Sequence, residues 1–275
     1  MANALWLSPY FSDLATISAS TEAGTLEAEN MQTAEPTQMW TSTAGSGSYI
    51  DLDFGASGAI AATALALINL SIASANTWSI FASNTSNAHA RAGSGATFVL
   101  AQSPYPGGKT TEAAWPYHIG FAKWTNTTAY RYWSVVFPTV TGSSVSVGRL
   151  MLGVALQPTV NLDMGVGREF VSADSRNRTA YNKAMLARRG NTARLWTVIY
   201  NYVERTDAER GFARLARLRG NGGDVLLCLD PAETTYFPEY TGQFTIEQLV
   251  LPNAPAVHPT TGQVYAVRAQ LLEVV

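Results

Sequence analysis

Val203–Pro231 reads VERTDAERGFARLARLRGNGGDVLLCLDP, and its start, body and stop all carry signals of one kind. Thr206 followed by Glu209 has the form of a capping box, each side chain satisfying an amide of the first helical turn. Ala208, Phe212, Leu215 and Leu218 recur at helical spacing and predict one apolar stripe. Arg210, Arg214 and Arg217 line a neighbouring face, Arg219 lies near the C-terminal end of the dipole, and Gly220 supplies a left-handed stop. After the turn Asn221-Gly222-Gly223, the run Asp224 to Asp230 is apolar on both faces, which predicts a buried strand. Upstream, Arg194–Val203 (RLWTVIYNYV) is rich in β-branched and aromatic residues and reads as another strand. The unit is strand, short helix, strand, at the centre of a C-terminal domain.

The chain has 275 residues, 47% hydrophobic and only 14% charged, with 22 glycines. That composition suits one large or two ordinary folded domains and excludes disorder. Plentiful Trp and Tyr, with few helical patterns elsewhere, favour β architecture. The formal charge of −2 hides an uneven distribution. Residues 168–219 hold twelve Lys and Arg against five Asp and Glu, a balance of +7, whereas 220–275 hold one Arg against six acids, a balance of −5. These are either solvated faces or two complementary surfaces that meet across a subunit boundary. The single cysteine, Cys228, lies in the apolar run and reads as a small core residue. No basic and apolar leader follows Met1, so no secretory signal is expected. Residues 58–73 (GAIAATALALINLSIA) are short of the ~20 apolar residues that span a bilayer. They alternate, with Ala66, Ile68, Leu70 and Ile72 on one face, so a strand is expected and no membrane insertion.

In the first half, short candidate strands at Leu14–Ser20, Tyr49–Phe54, Ile60–Ala73, Trp78–Ala82, Tyr130–Phe137 and Val145–Gly153 are broken by Gly, Ser, Asn and Pro. Such spacing predicts a β-sandwich. Asn30, Met31, Trp40, Tyr49, Ile50, Asp51, Asp53, Phe54, Gly55, Arg131, Tyr132, Trp133, Gly148, Leu150 and Gly153 stand in the order found in one family. On these residues the stretch from about 10 to 154 resembles the discoidin-like, galactose-binding-like jelly rolls. The disulfide that often clamps extracellular members is absent here, as in cysteine-free relatives from bacterial and viral structural proteins. The long loop from Ser103 to Asn126 holds Tyr105, Trp115, Tyr117, His118 and Trp124. These rings are either a sugar-stacking platform or the loop's own small core.

In the second half, Trp196, Phe212, Leu215, Leu218, Gly220, Gly222, Leu226, Leu227, Asp230 and Pro231 form a diffuse pattern. It comprises a tryptophan-bearing strand, an arginine- and leucine-rich helix, a Gly-rich turn and a strand ending in Asp-Pro. It resembles the ring-forming domain of distal tail and tail-tube-like proteins of long-tailed bacteriophages. The expected organisation is a jelly-roll β-sandwich over 1–154, a linker over 155–168, and a tail-tube-like β-sandwich or barrel over 169–275 with a helix at about 206–219.

Searches for other chemistry exclude several classes. No phosphate loop is present, and Gly165-Val-Gly167 lacks the helix of a dinucleotide fingerprint. His89, His118 and His258 lie far apart with no metal spacing, so no metal or cofactor is expected. Asp51 and Asp53 share one strand face and have the form of a glycosidase pair, but the jelly-roll strand explains them better, and no enzyme is expected. The two resemblances imply a structural virion protein of a phage tail tip, made in the host bacterial cytoplasm. It would form a homo-oligomeric ring of six that joins the tail tube to the host-recognition apparatus. Tube, hub and tape-measure proteins would be its neighbours, a host surface glycan a further partner, and DNA would meet it only in transit. Arg176, Arg178, Arg188 and Arg189 are the expected subunit contacts. The alternative is a lectin-like adhesion module.

Overall fold

The structure is a computed structural model that describes residues 3–72, 76–86, 88–91, 96–102, 118–140, 144–162, 166–172, 175–178, 184–188, 192–233, 237–251, 256–258 and 262–274. The chain is mainly β and falls into two compact units, Met1–Pro158 with Asp224–Gln243, and Thr159–Gly223 with Phe244–Val275.

The first unit is the expected sandwich. One antiparallel sheet runs in the order Thr16–Ala19, Ser48–Asp53, Tyr132–Thr139, Thr77–Ser83, Ala96–Gln102. Ser48–Asp53 alternates strictly, so Ser48, Ile50 and Leu52 are buried while Tyr49, Asp51 and Asp53 lie half-buried on the outer face. This is the period of two that a pleated strand imposes. A second sheet is built from Arg149–Gly153, Ala64–Ile68 and Ile119–Lys123. Ile50, Leu52, Trp78, Ile80, Trp133 and Val135 of the first sheet share one core with Leu65, Leu67, Leu150 and Leu152 of the second.

Ala64–Ile68 is buried on both faces. Ala64, Ala66 and Ile68 turn away from that core into another, with Leu5, Leu7, Phe121, Met151 and Leu226. The strand is shorter than its alternation suggested, because Asn69 takes a left-handed φ of 56° and turns the chain. Asn69 then donates its side-chain amide to the carbonyl of Pro36 at 2.9 Å. Similarly, the expected strand Val145–Gly153 is split into Ser146–Val147 and Arg149–Gly153. Gly148 between them lies so close to the Pro36 carbonyl that a Cβ would stand 2.0 Å from its oxygen.

Asp224–Cys228 is a buried strand, as its composition required. It packs with the first unit, whereas the sequence placed it in the C-terminal domain. The cause lies in its partners: Leu5–Leu7 pairs with it antiparallel, and Asp224 meets Arg149 at 2.9 Å. Asp224 is thus internal, and so is Glu273 of the second unit, 8% exposed and paired with Arg194. Two of the six acids counted in the C-terminal stretch are therefore spent inside the fold, which weakens the idea of an acidic docking surface there.

In the second unit, the strand entering from Thr241–Val250 pairs with Gly262–Glu273, which pairs with Thr192–Glu204, which pairs with Gly167–Ser172. Arg194, Trp196, Val198 and Tyr200 are buried along one face. The helical segment packs there, with Phe212 at 5.2 Å from Tyr200 between ring centroids. Trp196 and Phe244 lie 4.9 Å apart. The helix begins differently from expectation. Thr206 is already helical, with φ −62° and ψ −45°, and makes no side-chain cap. The first stretch, Asp207–Phe212, is a π-helical turn that passes into the α-helix Ala213–Arg219. Asp207 instead accepts hydrogen bonds from the amide and hydroxyl of Thr159, at 2.8 and 2.9 Å. The wider turn still brings Ala208, Phe212 and Leu215 inward. Gly220 ends the helix with a positive φ of 61°, as predicted. Among the described residues, no helix is long and apolar enough to cross a membrane.

Candidate functional site

The outer face of the five-stranded sheet carries polar side chains that the strand registers bring together. Asp51 stands opposite Ser18 on one side and Ser134 on the other, while Asp53 stands between Thr16 and Tyr132. Directly opposed residues in an antiparallel pair point the same way, so two rungs of hydroxyls flank two carboxylates. The short 3-10 turn Ala88–Arg91 packs against the strands Ser48–Asp53, Thr77–Ser83 and Tyr132–Thr139. Thr16, Ser18, Asp51, Asp53, Ser86 and Tyr132 line an open cleft of about 150 Å³ on this face.

Each carboxylate is held. The imidazole Nδ1 of His89 lies 2.6 Å from Asp51 Oδ2, and its ring stacks on Tyr49 at 3.6 Å with an interplanar angle of 11°. The Ser134 hydroxyl donates to Asp51 Oδ1. Asp53 receives a two-pronged grip from Arg131, Nε to Oδ1 and Nη2 to Oδ2, both 2.7 Å. The amide of Gly55 adds a third bond at 2.8 Å. The Arg131 guanidinium lies 4.6 Å over the Tyr132 ring. Hydrogen bonding from Arg131 holds the Asp53 carboxyl below its ordinary 3.8, against the opposing pull of burial. Asp53 therefore stays ionised at neutral pH and accepts hydrogen bonds. A glycosidase acid needs the reverse, a carboxyl raised so that it keeps its proton.

Of the aromatics expected to stack on sugar, Tyr105, Trp115 and Tyr117 lie outside the described residues. His118 is half-buried, and its carbonyl accepts the amide of Leu70 at 3.2 Å. Trp124 packs against the sandwich core, its ring 5.8 Å from Phe98 and 6.0 Å from Trp133. Of the expected subunit contacts, Arg176 and Arg178 fall on the strand Ser175–Arg178 and Arg188 on its partner Ala184–Arg188. Their side chains, and Arg189 altogether, lie outside what is described. Among the described residues, no group of three His, Cys, Asp or Glu is placed to hold a metal ion.

The sequence brought out Asp51 and Asp53 but not their partners. His89 is 38 residues from Asp51 and Arg131 is 78 from Asp53. The available signal was the alternation Tyr49, Asp51, Asp53, three polar residues on one face of a strand whose other face is core.

No protein-family model matches this sequence, and no curated protein does. Among solved structures, a chitosan-binding module of a chitosanase/glucanase from Paenibacillus sp. IK-5 is similar at 19% identity. The match covers 50% of this chain and 94% of that one, with a TM-score of 0.37. The family 32 carbohydrate-binding module of Clostridium perfringens NanJ, in complex with galactose, matches at 15% identity over 54% of this chain and 98% of that one, TM-score 0.38. A further Clostridium perfringens module, in complex with GalNAc-β-1,3-galactose, matches at 12% identity over 54% and 99%, TM-score 0.38. Likeness this weak says nothing of what the present chain binds.

Proposed function

We propose that the protein binds carbohydrate through the outer-face cleft of its first unit. The observation that carries this reading is the cleft lining itself. Two carboxylates fixed by Arg131 and His89 stand among the hydroxyls of Thr16, Ser18 and Ser86, beside the phenol ring of Tyr132. A sugar presents hydroxyl donors and one flatter apolar face, and a few fixed acceptors with an aromatic wall suit both. Preformed acceptors lose little entropy on binding, since their partners already hold them.

A glycan array on the whole protein, followed by calorimetric titration of the strongest hit, tests the reading. Galactose and chitosan oligomers are reasonable first probes. Removing a hydrogen bond to a charged acceptor costs about 1.5–3 kcal/mol, so Asp51→Ala is expected to weaken binding by roughly ten- to a hundredfold. Because Asp51 also anchors His89, the milder Ser18→Ala and Tyr132→Phe serve as variants that keep the fold. A blank array, or a hit whose affinity ignores all three substitutions, removes the cleft as the site.

A second reading, a ring-forming structural protein of a phage tail tip, is favoured by one observation in the second unit. Among the described residues, the strand Gly167–Ser172 is at the edge of its sheet, with Phe170 64% and Val171 44% exposed on opposite faces. An edge of this kind offers unpaired backbone groups and apolar cover to another chain. Its test is the native mass in solution.

A further inference from the structure

The turn after the helix of the second unit carries the single Asn-Gly pair of the chain, Asn221-Gly222. Both residues are exposed, and among the described residues no hydrogen bond holds the Asn221 side chain. The backbone there is tightly specified. Gly220 has a φ of 61° and donates its amide to the Ala216 carbonyl at 2.8 Å, and Gly222 has a φ of 87°. Such left-handed conformations come without steric cost only to a residue that lacks a Cβ. Gly223 packs so close to the helix end that a Cβ would stand 2.5 Å from the Arg219 carbonyl oxygen. Two further bonds fasten the turn to the strand Thr241–Val250. The Gly222 amide donates to the Ile246 carbonyl at 2.8 Å, and the Ile246 amide donates to the Gly223 carbonyl at 3.0 Å.

We propose that Asn221 is a self-modification site, at which the Gly222 nitrogen attacks the Asn221 side-chain amide once its bond to Ile246 opens. The deprotonated nitrogen forms a bond to Cγ, the Cγ–Nδ2 bond breaks and ammonia leaves, giving a five-membered succinimide. Water then opens the ring at either carbonyl. One product is aspartate in an unchanged backbone. The other is isoaspartate, whose main chain runs through Cβ and Cγ and is one atom longer. Glycine at 222 leaves the attacking nitrogen without a Cβ beside it, and exposure lets water reach the ring. The same nitrogen is the donor to Ile246, so the closed turn keeps its proton engaged and conversion waits on local opening. Return is then blocked, because a longer main chain cannot hold the Gly220, Gly222 and Gly223 bonds together. The new charge is the smaller effect. A carboxylate beyond the helix C-terminus opposes the dipole, but Arg217 and Arg219 in the last turn offset it. None of this depends on the cleft of the first unit.

The test ages the full-length protein at mildly alkaline pH and maps it by peptide mass spectrometry, with isoaspartate scored by enzymatic methyl labelling. In the folded protein Asn221 is expected to convert before every other asparagine, yet at least roughly tenfold more slowly than in strong urea. In sub-denaturing urea its rate should rise in step with hydrogen exchange of the Gly222 amide. The isoaspartate form, purified by chromatography, is expected to melt below the parent. Asn221→Asp carries the charge without the longer main chain and should melt like the parent. Asn221→Gln, which would need a six-membered ring, should persist unmodified over the same period. No conversion in urea, equal rates in folded and unfolded protein, another asparagine converting first, or an isoaspartate form as stable as the parent would each overturn the proposal.

Discussion

Arg149 is 1% exposed in the interior of the first unit, and its guanidinium gathers three distant segments. Nε meets Asp224 at 2.9 Å, Nη1 meets Asp13 at 2.7 Å and donates to the Met31 carbonyl at 3.1 Å. Gln243 completes the shell of Asp224 at 3.0 Å. Burial alone would lower the arginine's pKa, but the hydrogen bonds to Asp13 and the charges of Asp224 and Asp13 outweigh it and hold it raised. A buried pair adds little over a well-packed apolar replacement, yet breaking one side strands the other. Arg149→Met is therefore expected to destabilise the unit by roughly 3–5 kcal/mol. The triple change Arg149→Met, Asp13→Leu, Asp224→Leu should recover most of that loss. Urea denaturation measures both, and a single variant costing less than a surface substitution would mean that water reaches the site. Arginine at 149 was legible as part of a strand, but nothing local marked it as the tie between residues 13, 31 and 224.

At the scale of elements, the helix Ala213–Arg219 and its π-helical entry show which signals survive folding. The apolar spacing survived because burial of Phe212 against Tyr200 sets the helix orientation. The capping box did not, since Asp207 found Thr159, 48 residues away in sequence, and the helix started earlier. Phe212→Ala is expected to cost about 3–5 kcal/mol, a large-to-small change at a fully buried site. Arg217→Ala, at an exposed position of the same helix, should cost under ~0.5 kcal/mol. Thermal melts of the two variants decide it: similar shifts would mean that the helix is packed the other way round. The same logic explains Ser48–Asp53. Its alternation fixed which side chains face outward, while the turn Ala88–Arg91 that completes the cleft came from a part of the chain with no periodic signal.

For the whole molecule, the two proposed readings differ in mass. A ring of six predicts light scattering at six times 29.5 kDa. If the edge strand Gly167–Ser172 makes the contact, Phe170→Lys should leave single chains, because a charge on an edge discourages pairing. A mass of 29.5 kDa at every concentration and salt level leaves the carbohydrate reading without the ring.

Sequence by itself determined what depends on neighbours in the chain. Period-two alternation put Ile50 and Leu52 inside and Asp51 and Asp53 outside, Gly220 ended the helix, and Asp224–Cys228 had to be buried because neither face is polar. Tertiary structure decided whatever depends on partners far along the chain. It assigned Asp224–Cys228 to the first unit through Leu5–Leu7 and Arg149, and it joined His89 to Asp51 and Arg131 to Asp53. The physical reason is one of range. Backbone conformation and amphipathic period are set within a few residues, whereas a buried charge must find its counter-charge wherever the packed sheets happen to bring one.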